Sequence, residues 1–204
     1  MVKRGKSARK PGRPGRLRIV AGIWRSRVLE VVDAPGLRPT SERIRETLFN
    51  WLAPRIAGAR CLDLFAGTGA LGFEALSRGA ASVVFVEKHA AAVRRLRDNA
   101  ALLGADGAEI VADDARRFLA DARAAPFDIA FLDPPFQENA LADLCRLLAV
   151  RGLLAPGAIV YLEDDRKRPV VELPAGWQEL RKGHAGNVRF ALVEAGGATG
   201  GDVR

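Results

Sequence analysis

Histidine and cysteine are scarce, with two of each among 204 residues. His89 and His184 have no partner at metal-ligand spacing, so no metal site is expected. Cys61 and Cys145 lie far apart and in no paired motif, which reads as two reduced thiols of a cytoplasmic protein rather than a disulfide framework. Long apolar runs are missing as well. Nothing approaches the roughly 18 residues of a membrane span, so no membrane partner is expected. The basic N-terminus has no apolar block behind it, which argues against a secretory signal. Its glycines and prolines likewise argue against the amphipathic helix of a transit peptide.

Acidic residues are absent from positions 1–18, where eight Lys and Arg residues stand, while the whole chain carries a formal net charge of +8. The entire basic excess therefore sits at the N-terminus. Residues 1–16 read as a disordered basic tail, too rich in Gly, Pro and charge to pack, and suited to the phosphates of a nucleic acid. Residues 17–195 suit one domain, with 17–54 as its front end, and residues 196–204 form a Gly-rich flexible end. A hydrophobic share of 49% and a charged share of 27% fit a soluble globular chain, a monomer by default.

Two short strands, LRIVAG (17–22) and VLEVV (28–32), are expected to pair as a hairpin whose turn carries Trp24, Arg25 and Arg27. Thr40 or Ser41 can then cap a helix whose apolar face holds Ile44, Leu48, Trp51 and Leu52 before Pro54 closes it. From residue 60 strands and helices alternate. Strands are expected at CLDLF, SVVFVE, AEIVA, FDIAFL and AIVYLE, with helices at 70–78, 89–103, 115–123 and 139–149. WQELRKG and NVRFALVEA read as a closing antiparallel pair. Such alternation predicts a mostly parallel sheet covered by helices on both faces.

Ligands of such sheets bind at the carboxyl ends of the strands. Four successive ends carry acids: Asp63 before a glycine loop, Glu87, Asp113–Asp114, and Asp133. GTGALG (67–72) matches the dinucleotide pattern, and Gly67 and Gly69 allow a tight turn with close backbone approach. Glu87 falls 20 residues after Gly67, where a carboxylate can accept from both ribose hydroxyls. Together they point to an adenosine cofactor and leave open whether it is a nicotinamide dinucleotide or S-adenosylmethionine. Asp133-Pro134-Pro135-Phe136 adds a second group. Asp133 and a prolyl carbonyl can accept two hydrogen bonds from one planar amine, and Phe136 can stack on a base. Two such acceptors favour pyramidalisation of a base amine and steady the charge that builds as it attacks a methyl group. No cysteine is placed to serve as a nucleophile.

DLFAGTGALGFEAL followed by DPPF resembles the class I S-adenosylmethionine-dependent methyltransferases that act on exocyclic amines. RIVAGIWRSRVLEV and GLRPTSERIRETLFNWL narrow the resemblance, which runs from about Leu17 to Val193, to the RsmD family. It implies a Rossmann-like α/β sheet, mostly parallel with an antiparallel C-terminal pair. The implied reaction is methylation of the 2-amino group of a guanine in bacterial small-subunit ribosomal RNA, within an assembling subunit. Asp63, Gly67 and Gly69 would hold the methionine side of the cofactor, with Phe65 and Asp133 also among the cofactor contacts. Glu87 would hold the ribose, and Asp114 the adenine amine, its neighbour Asp113 leaving the register open by one. Asp133, Pro134, Pro135 and Phe136 would hold the guanine. Trp24, Arg25 and Arg27, with Arg38, Pro39, Thr40 and Arg43, would face RNA. An adenine amino methyltransferase is the near alternative. A nicotinamide oxidoreductase leaves DPPF unexplained, and a non-catalytic RNA-binding protein leaves the cofactor residues idle.

Overall fold

A computed structural model describes residues 15–31 and 41–196. Most of the expected tails, and with them Arg38, Pro39 and Thr40, lie outside the described residues. The chain begins with β1 (Gly15–Arg18) and β2 (Val28–Val31), an antiparallel pair in which Gly15 opposes Val31. The strand thus starts inside the segment expected to be tail. It also stops at Arg18 rather than running to residue 22: the Ile19 amide still pairs with the Arg27 carbonyl at 2.9 Å, but the amides after it turn away. Those of Val20 and Ala21 donate to the Glu74 carboxylate at 2.8 and 3.0 Å.

Helix α1 (Glu42–Leu52) follows, capped by Ser41, whose Oγ accepts from the Ile44 amide. Its apolar face buries Ile44, Leu48, Phe49 and Leu52, while Trp51 is half-buried against Phe190 with ring centroids 5.4 Å apart. The alternating units are β3 (Arg60–Asp63), α2 (Ala70–Ser77), β4 (Ser82–Val86), α3 (Ala90–Leu103), β5 (Ala108–Val111), α4 (Ala115–Asp121), β6 (Phe127–Leu132) and α5 (Leu141–Val150). β7 (Leu154–Asp165), β8 (Gln178–Ala185) and β9 (Val188–Glu194) complete the chain. α5 starts later than expected. After DPPF a single 3-10 turn, Phe136–Glu138, comes first, and Asn139 then takes a left-handed φ of 47°.

The seven strands are ordered β5-β4-β3-β6-β7-β9-β8. β5, β4, β3, β6 and β7 run parallel, and β9 is antiparallel to both β7 and β8. The expected mixed sheet with a closing antiparallel pair is what forms. The chain builds outward from β3 to β5, then crosses back to place β6 on the other side of β3. That reversal is the switch point where open α/β sheets bind ligands. Asp63 ends β3 and Asp133 follows the last residue of β6, the two strands flanking it.

Alternation along the strands divides the core into two layers. Cys61, Ile129, Phe131, Ile159 and Tyr161 pack on one face with the hairpin and α1, whereas Leu62, Ala130, Leu132 and Val160 pack on the other with α5. Gly72 shows why a side chain is excluded where α2 meets the sheet: a Cβ there would lie 2.1 Å from the Phe85 ring.

Glu74 of α2, fully buried, anchors the front of the molecule. Besides the two hairpin amides it receives Arg78 Nε at 2.7 Å and Arg45 NH1 at 3.4 Å, and Arg45 NH2 also reaches the Arg18 carbonyl at 2.8 Å. Burial holds the Arg45 guanidinium below its ordinary pKa, with Glu74 opposing that shift.

Candidate active site

A cleft of about 730 Å³ opens over the carboxyl ends of β3, β4 and β6. Asp63 lies at its floor, 3% exposed, with Oδ2 accepting from the Gly72 amide at 3.1 Å. Burial is the main cause that raises its pKa to about 7, and the nearby Asp133 and Glu87 carboxylates add to it against the Gly72 and Phe65 amides. One turn further, Gly69 adopts φ 92° at the start of α2. A Cβ there would meet the Phe73 ring at 2.3 Å, so both conformation and space require glycine. The Gly67 amide donates to Glu87 Oε2 at 2.9 Å and the His89 amide donates to Oε1 at 2.7 Å. Glu87 is thereby held at the wall by one amide per oxygen, and each oxygen keeps acceptor capacity for a hydroxyl.

At the end of β5 the doubled acid divides its roles. Asp113 and Ala115 line the cleft. Asp114 Oδ1 caps α4, accepting from the amides of Arg116 and Arg117 at 2.9 and 3.4 Å, while its Oδ2 lies 4.0 Å from Lys88 Nζ. Lys88 also donates to Glu138 Oε1 at 2.9 Å, and so ties the turn after DPPF to the corner at α4. This hydrogen bond, against a smaller desolvation, raises the Lys88 pKa. Lys88 follows Glu87 directly, and no sequence pattern marked it.

Asp133, Pro134, Pro135 and Phe136 all line the same cleft as the glycine loop and Glu87. The Pro135 carbonyl accepts from the Glu138 amide at 2.9 Å, which closes the 3-10 turn that carries Phe136. The lining also includes Ser41, the cap of α1, with Ile44 of α1, Val31 of β2, and Gly186, Asn187 and Val188 at the β8–β9 turn. Glu163 of β7 also lines the cleft at 5% exposure, with the Tyr161 hydroxyl donating to its Oε2 at 2.6 Å. Glu163 went unnoticed in the sequence, although it closes the apolar run AIVYLE as the other acids close theirs. Asn187 gave no signal at all.

The residues expected to face RNA separate. Arg25, Arg27 and Arg43 are exposed. Trp24 is half-buried against the core, and its amide donates to Ser77 Oγ at 3.0 Å. The amide thus helps dock the turn on α2, while the ring packs against the core. Cys61 and Cys145 are free and buried. Burial pushes both thiols upward, Cys145 to about 12, so neither offers a thiolate at neutral pH. Among the described residues no cluster of His, Cys, Asp and Glu suits a metal ion, and no helix is long and apolar enough to cross a membrane.

The chain is 46% identical over 180 residues to ribosomal RNA small subunit methyltransferase D of Escherichia coli strain K12, covering 88% of this chain and 90% of that protein. The protein of the same name from Haemophilus influenzae is 40% identical over 192 residues, 93% of this chain and 99% of its own. Among solved structures, yhhF of Escherichia coli superposes with a TM-score of 0.83 at 42% identity, covering 89% of this chain and 99% of that one. The family model described as conserved hypothetical protein 95 matches residues 17–194. It spans the hairpin, the capped helix and every strand end of the cleft, and the chain belongs to this family, the RsmD family.

Proposed function

We propose that this chain methylates the exocyclic 2-amino group of a guanine in small-subunit ribosomal RNA, with S-adenosylmethionine as methyl donor. The observation that carries the reading is that DPPF, a grip for a planar amine, lines one cleft with the glycine loop and Glu87. The chain's relatives named as ribosomal RNA small subunit methyltransferases support the same acceptor.

The donor set fits this cofactor better than a dinucleotide. A pyrophosphate needs the amides at a helix N-terminus, but in α2 the Gly72 amide is already held by the Asp63 carboxylate. An anion there would meet Asp63 at close range, whereas the ammonium of a methionine moiety would be welcomed. Asp63 and the glycine loop would hold that moiety, Glu87 the ribose, and the Asp113–Ala115 corner the adenine. When bound, S-adenosylmethionine supplies an electrophilic methyl carbon whose bond to sulfur breaks, both electrons leaving with sulfur, as the guanine nitrogen bonds to it.

The protein's own share is positioning and polarisation. Asp133 and the Pro134 carbonyl would accept the two amine hydrogens, turning the nitrogen lone pair toward the cofactor side of the cleft. Phe136 would stack on the base. Orientation of two bound reactants is worth roughly 7–11 kcal/mol, so no covalent nucleophile is required. The proton lost from the methylated nitrogen passes to the acceptor carboxylate and then to water. Arg25, Arg27 and Arg43 would meet RNA phosphates, and the basic N-terminal segment would extend that contact. The substrate is RNA carried in an assembling subunit, which can present the base unstacked.

Asp63 makes cofactor binding pH-dependent. Its carboxyl is protonated below about 7 in the free protein. A cationic ligand favours the carboxylate, so binding below that pH must release a proton. Affinity for S-adenosylmethionine is expected to rise as pH increases from 5.5 to about 7, by up to about tenfold per unit, and then level off. Calorimetric titration of the wild type and Asp63→Asn checks this, since the variant should lose the slope; a variant with the same slope assigns it elsewhere. The function itself is tested by methyl transfer from labelled S-adenosylmethionine to unmodified small subunits and to naked RNA. Label in the subunits is expected. Cofactor binding with no label in either RNA would overturn the reading.

A further inference from the structure

We propose that Glu163 reads the N1–H of the target guanine and so selects guanine over bases that present an acceptor at that position. The inference rests on the reading above and names the residue that gives that site its base specificity.

Register brings Glu163 to the amine grip. β6 and β7 run parallel with Leu132 opposite Leu162. The next residues, Asp133 just past β6 and Glu163 within β7, therefore stand side by side on neighbouring strand paths, which lie about 4.8 Å apart. Alternation points both side chains to the face already occupied by Phe131 and Tyr161. Both line the cleft, and Glu163 is 5% exposed. Its orientation is fixed from below: Tyr161, fully buried against Phe131 and Phe190, donates its hydroxyl to Oε2. A carboxylate offers about four acceptor sites, enough to take a ligand donor alongside protein partners.

Guanine presents two adjacent donors, the 2-amino group and N1–H. The other neighbour of the amine, N3, is an acceptor. With the amine held at Asp133, only the N1 side can face a second carboxylate without repulsion, which fixes which way round the ring enters. Adenine offers the opposite pattern, since its N1, next to the 6-amino group, is an acceptor. A buried carboxylate beside that lone pair repels it, and the adenine N1 gains no donor. DPPF alone grips either amine; Glu163 distinguishes them.

The test replaces the target guanine with 2-aminopurine in reconstituted small subunits. This base keeps the 2-amino group, but its N1 is an acceptor. The wild type should favour guanine over 2-aminopurine by at least about 10²-fold in kcat/KM, the range in which sites built for a donor reject its absence. Glu163→Gln can turn an amide N–H toward N1, so it should slow guanine and compress the ratio to below about tenfold. A merely structural role would lower both bases together, and that result, or an unchanged ratio, overturns the proposal. Calorimetry with S-adenosylmethionine should show the Gln variant binding cofactor as the wild type does. Should that variant not fold, Tyr161→Phe carries the test, since releasing Oε2 must also narrow the ratio. A wild type that transfers nothing to guanine removes the functional reading itself, whereas transfer with an unaltered ratio in the variants removes only the role of Glu163.

Discussion

Asp133→Ala is expected to lower kcat for methyl transfer by about 10²–10³-fold, the usual effect of deleting one preorganised group that stabilises developing charge. RNA affinity should change less than about twofold, because the basic residues that would meet phosphates lie elsewhere. The reason is positional. Asp133 directly follows β6 beside the switch point, in the cleft shared by Glu87 and the glycine loop. Its acceptor role matters most as the amine gains charge, so the loss should fall on kcat rather than on binding. A second readout follows from its field at Asp63, which helps to raise that carboxyl. In the variant, the pH at which cofactor affinity levels off should move downward. Single-turnover transfer and filter binding separate the effects, and a parallel loss of RNA affinity would contradict the role given to Asp133.

Glu74→Ala should destabilise the fold by about 3–5 kcal/mol, the range for removing one partner of a buried charge cluster. Four groups converge on this carboxylate: the amides of Val20 and Ala21, and the side chains of Arg45 and Arg78. Removing it leaves the Arg45 guanidinium, 1% exposed, without the counter-charge that offsets its burial. The hairpin loses its anchor as well, because the same carboxylate ends β1. Urea unfolding should show the loss, and melting should fall by about 10 °C, at roughly 2–4 °C per kcal/mol for a chain of this size. A change below about 1 kcal/mol would mean that the cluster is compensated by solvent.

Glu74 also shows where sequence reading stops. A glutamate within ALGFEALSR looks like a solvated helix position; its partners at residues 20, 21 and 45 are 29 to 54 positions away, and no local pattern encodes them. The docking of the Trp24 turn is equally non-local. Nothing near Trp24 and Arg25 in the sequence points to Ser77, 53 residues later, on which the turn docks. The strand-end acids were legible because parallel strands announce themselves as short apolar runs, and the residue after each run must face the ligand side. Asp63, Glu87 and Asp133 followed from that rule and meet in one cleft. Glu163 obeys it too, but β7 continues through Asp164 and Asp165, so the run of acids blurs where the buried part ends. In the doubled acid Asp113–Asp114, capping falls to Asp114 and lining of the cleft to Asp113, a division that no local pattern encodes.

The most direct measurement is the identity of the modified nucleoside. Small subunits lacking the modification are incubated with the protein and labelled S-adenosylmethionine, and the RNA is digested to nucleosides for mass analysis. Label in 2-methylguanosine is the expected result, and it should vanish with Asp133→Ala. Label in a methylated adenosine instead would contradict both the guanine assignment and the selecting role of Glu163, while leaving the amine-gripping chemistry of DPPF in place.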